Sequence, residues 1–256
     1  VQDKILFSEG WYLKEKEDGY RWMGNYSKSI IYTNESINAI IYINATTYNE
    51  PKVVSLYVNG IKIDQFKIFP QENEVYSNEF TLKPGINEIY MESNCEFPSK
   101  EDIRCLSIGI KNITIIPLEK VQDKILFSEG WYLKEKEDEY RWGTDKVRLI
   151  LISSKDKNIT FYFDVLPIFE NTTIVKFYLN GELKNIFEIA KGGGWVYTLP
   201  QKIKSGVNIL EFTVDNGCII IDNILHNGDK RCIAMTLRGL EVVDNENNST
   251  QLFLFS

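Results

Sequence analysis

Apolar residues along the chain fall into short runs and period-two alternations, and the three-to-four spacing of amphipathic helices is hard to find. The runs at 37–43, 53–58 and 159–163 are rich in β-branched and aromatic residues. Such residues suit a pleated, half-buried surface, so each run predicts a strand. Asn59-Gly60 and Asn180-Gly181 each stand between apolar runs. Both central residues of a type I′ turn need positive φ, which Asn and Gly tolerate, so each pair predicts a tight hairpin. Near the end of each half the alternation slips. Leu106, Ile108 and Ile110 lose phase across Lys111-Asn112 before Ile113 and Ile115 resume, and Ile233, Met235 and Leu237 lose it across Arg238-Gly239 before Leu240 and Val242. A strand that keeps one face buried absorbs an extra residue as a β-bulge, so a bulge is expected at both places.

The two halves share more than this slip. Residues 1–22 recur at 121–142 with one difference, Gly19 against Glu139, and Gly85-Ile86-Asn87 answers Gly206-Val207-Asn208 farther on. A repeat of this length predicts two homologous domains, 1–120 and 121–243, followed by a linker and apolar strand at 244–256. The expected fold is all-β: two tandem antiparallel β-sandwiches, jelly-roll or Ig-like, from an internal duplication.

Composition narrows the function. The 256 residues are 43% hydrophobic and 25% charged, values of an ordinary globular chain. The net charge of -7 has the wrong sign for neutralising phosphate backbones, so nucleic acid is not an expected partner. The single histidine, His226, leaves no cluster for a zinc or iron site and removes the commonest general base. No nucleophile elbow stands near it, and Gly192-Gly193-Gly194 lacks the Lys-Ser/Thr of a phosphate loop. The chain is therefore not expected to be an enzyme or to need a cofactor, calcium in the Asp/Asn-rich loop 222–229 being the metal reading that remains, ranked low. It opens at Val1 without a charged leader or apolar signal run, which reads as a processed product. No stretch nears the roughly 18 apolar residues of a membrane span.

Four cysteines fall two per repeat. Of the three ways to pair them, only Cys95–Cys105 with Cys218–Cys232 keeps each bridge within a repeat; zinc ligation would be the alternative, but neither pair has CxxC spacing. Disulfides imply an oxidising compartment. Sequons start at Asn25, Asn34, Asn44, Asn112, Asn158, Asn171, Asn247 and Asn248, eight in all, where this composition gives about two by chance. The excess points to N-glycosylation outside the cell, with Asn112 placed awkwardly at the expected bulge.

The most distinctive segment is Gly10-Trp11-Tyr12 with Tyr20-Arg21-Trp22, copied at Trp131, Tyr132, Arg141 and Trp142. Aromatic rings stack on the CH faces of sugars, so these residues, with Glu15 or Glu17 for hydroxyls, are candidates for tandem carbohydrate sites. The competing reading is that the Trp residues plug the sandwich while the Arg stacks on a ring and pairs with a Glu. Together with Asn59-Gly60, Pro84-Gly85 and the Cys95, Arg104, Cys105 close, the segment resembles a β-sandwich module found as the extracytoplasmic tail of archaeal and bacterial membrane glycosyltransferases and related cell-surface proteins. The second repeat departs from it at Ser205 and in its longer cysteine loop. The resemblance implies a surface-associated, sugar-contacting module and brings no catalytic domain into this chain.

The chain ends in Leu252-Phe253-Leu254-Phe255 where a third repeat would start. This tail reads as a spare first strand that can pair with a neighbouring molecule, or fold back on its own domain. The sequence thus favours an extracellular structural glycoprotein at the cell surface whose subunits join head to tail into a filament, tube, sheath or layer by strand donation through residues 252–255. A carbohydrate-binding module comes second, and an accessory part of a glycosyltransferase system third. The expected partners are further copies of itself, covalent N-glycans and surface polysaccharide.

Overall fold

The computed structural model describes residues 5–121, 123–133, 140–169, 171–246 and 249–253. The chain divides into two compact units, Val1–Val121 and Gln122–Ser256, within a residue of the expected boundary. The first holds β1 (Leu6–Phe7), β2 (Arg21–Trp22), β3 (Tyr26–Thr33), β4 (Ile37–Thr47), β5 (Lys52–Val58), β6 (Ile61–Ile68), β7 (Asn73–Tyr76), β8 (Phe80–Leu82), β9 (Gly85–Glu92) and β10 (Ile108–Pro117). The second holds β11 (Lys124–Phe127), β12 (Arg141–Gly143), β13 (Lys146–Ser153), β14 (Lys157–Pro167), β15 (Thr173–Leu179), β16 (Glu182–Ile189), β17 (Gly194–Tyr197), β18 (Gln201–Ile203), β19 (Gly206–Val214), β20 (Ile219–Ile220), β21 (Cys232–Ile233), β22 (Met235–Asp244) and β23 (Ser249–Phe253), with one helical turn, α1 (Asp222–Leu225).

Each unit is a sandwich of two antiparallel sheets. In the first, β1-β3-β9-β5-β6 faces β2-β10-β4-β7, with β8 also on β4. Ile31, Val54 and Ile89 of one sheet and Ile41, Ile43 and Ile108 of the other bury into a single core. The second unit repeats the order as β11-β13-β19-β15-β16 against β12-β22-β14-β17, with β18 on β14. To this it adds a strand without counterpart among the described residues of the first unit, β23 on β22.

Turns and bulges lie where the pattern put them. Asn59 and Gly60 have φ of 50° and 80°, Asn180 and Gly181 52° and 80°, closing the β5–β6 and β15–β16 hairpins. The register of β10 on β4 shifts between Ile110 and Asn112, leaving Lys111 over, and β22 on β14 likewise passes from Leu237 to Gly239 and leaves Arg238 over. Cys95–Cys105 and Cys218–Cys232 are bridged, with Cα–Cα distances of 5.3 Å in both.

Candidate functional site

The repeated Trp-Tyr-Arg-Trp segment is brought together in each unit, but as framework. Trp22, Trp131 and Tyr132 are buried. Trp11 Nε1 donates to the Lys28 carbonyl at 2.9 Å and Trp131 Nε1 to that of Arg148 at 3.0 Å. Tyr12 and Tyr132 donate their hydroxyls to the carbonyls of Cys105 and Cys232, so each ring ties the chain's opening to the disulfide loop. Burial pushes the Tyr132 hydroxyl up to about 12. Arg21 lies over the Phe7 ring at 4.6 Å and Arg141 over Phe127 at 4.5 Å. Trp22 Nε1 donates to Glu15, which also pairs with Arg104. Gly10 and Gly130 make this closure fit: a Cβ there would lie 1.9 Å from the Tyr26 carbonyl oxygen and 2.1 Å from that of Lys146. At Trp22, Trp131 and Tyr132 the expected sugar platform is corrected, because rings enclosed this way present no open face for stacking, whereas Trp11, Tyr12, Arg21, Arg141 and Trp142 are half-buried and tied into the same framework.

Exposed aromatics include Tyr32, Tyr48 and Phe97 in the first unit; two more lie together on the outer face of the second unit's β12-β22-β14-β17 sheet. Trp195 is 52% and Tyr197 63% exposed, and both point outward from β17. The rings of Tyr197 and Tyr162 lie 5.7 Å apart, tilted by 30°. Trp195 rests on the backbone beside the bulge: a Cβ at Gly239 would come within 2.8 Å of its ring. Beside it Arg238, the extra residue of the bulge, pairs with Asp164 at 2.6 Å. Its Nε is buried and meets no acceptor among the described residues. Tyr140, Asp164, Gly194, Trp195 and Arg238 line a concavity of about 500 Å³. The turn before β17 is built for this strand, since Gly193, at φ 71°, could not carry a Cβ against the Val165 carbonyl.

The first unit fills the same register positions differently. Opposite Asn44 of β4 stands Glu74, where Trp195 stands opposite Asp164 of β14. Tyr42 donates to Glu74 at 2.8 Å, and burial followed by that hydrogen bond raises its pKa. Lys111, the extra residue of its bulge, pairs with Glu72 at 2.9 Å, and Asn44 Nδ2 donates to the same carboxylate at 2.6 Å. The Lys111 hydrogen bond, foremost, holds Glu72 below the usual carboxylate range.

Sequence reasoning missed Trp195. Its signal was the exchange of N-E-V-Y at 73–76 for G-W-V-Y at 194–197, a charge replaced by a large ring on the outer face of a strand.

Four of the sequon asparagines, Asn25, Asn34, Asn112 and Asn171, are exposed and Asn158 is half-buried. Asn44 is corrected: it is buried, and its Nδ2, the atom a glycan would occupy, is hydrogen-bonded to Glu72. Asn247, Asn248, Leu254 and Phe255 lie outside the described residues, whereas the backbones of Leu252 and Phe253 pair in β23 with Glu241 and Leu240 of the same chain. The tail's described part is thus engaged in cis. Among the described residues there is no group of three or more metal-ligating side chains, and no helix is long and apolar enough to cross a membrane.

No family model and no curated protein matches the chain. Solved structures with a related arrangement include a ruminal GH26 endo-β-1,4-mannanase (13% identity, TM-score 0.31, 48% of this chain and 28% of that one). Others are an anti-sigma factor domain-containing protein (14%, 0.28, 99% and 89%) and a lectin from Pleurotus ostreatus in complex with GalNAc (10%, 0.27, 100% and 84%). The chain thus spans little more than a quarter of the mannanase. At these scores the likenesses carry no argument about activity.

Proposed function

We propose that the protein is an extracellular, surface-associated, non-enzymatic glycoprotein that binds carbohydrate through its second domain. The observation that carries this reading is the Trp195 concavity. An exposed indole offers a flat apolar face to the CH face of a sugar ring, while Arg238, Asp164 and Tyr140 offer donors and acceptors for its hydroxyls. The two disulfides, the exposed sequons and the resemblance to extracytoplasmic modules support the location.

The test is binding of hexose and N-acetylhexosamine oligosaccharides, by array and then calorimetry, to the wild-type chain and to Trp195→Ala. A ring this exposed contributes little to folding, so the variant should melt as the wild type does and lose at least about tenfold in affinity, the scale of one stacked aromatic anchor. Absence of binding to every sugar, or equal binding by the variant, would refute the reading.

A second reading, a structural subunit that associates with copies of itself, is favoured by a separate observation in the first domain, an edge of β10 that no strand among the described residues covers.

A further inference from the structure

The sheets containing β10 and β22 differ at one flank. In the second domain the edge of β22 from Leu240 to Asp244 is covered by β23, register Leu240↔Phe253 to Asp244↔Ser249. Leu240 is fully buried and Val242 is 8% exposed. Their counterparts follow from pairing on the other side: Leu240 lies opposite Phe163 of β14, and Ile113 lies opposite Ile43 of β4. Among the described residues no strand pairs with the outer edge of β10 beyond Ile110, where β2 ends. Ile113 and Ile115 remain part-exposed at the margin of the core.

The uncovered edge is a groove. About 550 Å³ lies along β10 from Ile110 to Pro117, with Ile5 and Phe7 on the facing wall and Lys14, Arg21, Lys111 and Lys120 around it. The backbone is set for a strand. Asn245 N donates to the Asn158 carbonyl, so along β22 the alternate residues Asp244, Val242 and Leu240 turn their polar groups the other way, toward β23. By the same alternation Ile113 and Ile115 turn their N–H and C=O groups into the groove. Pro117, standing where Asp244 does, has no N–H and ends the ladder.

We propose that this groove accepts an added antiparallel strand, and that the strand is the 249–253 segment of a second copy of the chain. The fit is read from the molecule itself, since the equivalent slot of the sister domain already holds that segment. Charge agrees: every charged residue lining the groove is basic, and the residues leading into the tail, Asp244 and Glu246, are acidic. The exchange trades one strand pairing for another, opening β23 from β22 in one chain and closing it on β10 of the next. It is therefore driven by concentration, as domain swapping is. Because donor and acceptor edges lie on different domains, the contact is heterologous and propagates into a filament unless the rotation closes a ring. The inference is independent of the carbohydrate site.

The probe is a synthetic peptide covering residues 245–256, added to the full chain and followed by amide hydrogen exchange. The amides of Ile113 and Ile115 should slow by at least about tenfold at saturation, and a scrambled peptide should leave them unchanged. Lys14→Glu with Lys120→Glu, both on exposed side chains, should weaken the peptide about three- to tenfold with the melting curve unmoved. Sedimentation of the full chain should show multimers that grow with concentration and vanish in a chain ending at Glu246. No protection at about 1 mM peptide, protection confined to residues 240–244, or multimers that persist without the tail would each overturn the proposal.

Discussion

The two domains repeat one framework around different interiors. Where the first packs Ile41, Ile43, Leu56 and Met91 across its sheets, the second packs Phe161, Phe163, Phe177 and Phe212 at the same register positions. All eight are buried, and the four rings contact one another with centroids 4.8 to 5.7 Å apart. What stays fixed is what backbone geometry demands: the Asn-Gly turns, the glycines under the aromatic plug, the bulges and the placing of one disulfide before each bulged strand. What changes is core volume, the outer face at Glu74 or Trp195, and the flank of β10 or β22. A sandwich tolerates exchange of apolar side chains when volume and pattern are kept, so the framework is free to carry different surfaces.

The sharpest way to break this comparison is to empty both cores at matched positions. Phe163→Ala removes a ring packed on Phe161, Phe177 and Phe212 and should cost about 3–5 kcal/mol, whereas Ile43→Ala should cost about 2–4 kcal/mol. Because each domain has its own core, each variant should lower one of two unfolding transitions in calorimetry and leave the other in place. A single transition that moves as a whole under both substitutions would show that the domains do not unfold independently.

Next in size are the bridges. Replacing Cys95 and Cys105 by Ser, or Cys218 and Cys232 by Ser, should destabilise the corresponding domain by about 2–3 kcal/mol in urea denaturation. The sequence separations are 10 and 14 residues, so loop entropy separates the two losses by only a few tenths of a kcal/mol. A much larger loss in the second domain would mean that its longer loop, with α1 and the β20–β21 pair, depends on the bridge for its fold.

Strand content, domain boundary, hairpins, both bulges and both disulfides were legible because each is a local or pairwise constraint written at fixed spacing. Lys111 and Arg238 betray the bulges as a one-residue slip in an alternation that must keep one face buried. The site was misread for a physical reason. Trp11 and Trp131 look like a sugar platform in sequence, but the same size and polar tip suit a plug whose N–H meets a backbone carbonyl, and the adjoining Tyr12 and Tyr132 close it onto carbonyls about a hundred residues away. Trp195, by contrast, sits in a short strand after a glycine turn, and only the pairing of β14 with β17 shows its neighbours to be Asp164 and Gly239. The choice of the tail between cis and trans rests on the comparative cover of two edges, which no run of residues encodes.

The smallest difference is electrostatic. Arg104 donates to Asp102 and also reaches Glu15, and its counterpart Arg231 donates to Asp229. The guanidinium beside it, foremost, holds Asp102 at about 2, and Asp229 is likewise held below the carboxylate range by Arg231. An unfolded Asp titrates near 3.9, so between that value and about 2 the unfolded first domain binds a proton that the folded one refuses. The contribution of Asp102 is therefore present in full above about pH 4 and is lost as the pH falls toward 2. Asp102→Asn, which mimics the protonated acid, should flatten the acid limb of the first domain's stability against pH, lower its stability near neutrality by the same small amount because the pair is solvent-screened, and leave the second domain's limb untouched. If the limb of the first domain kept its slope in the variant, the pairing of Asp102 with Arg104 would contribute nothing to that slope.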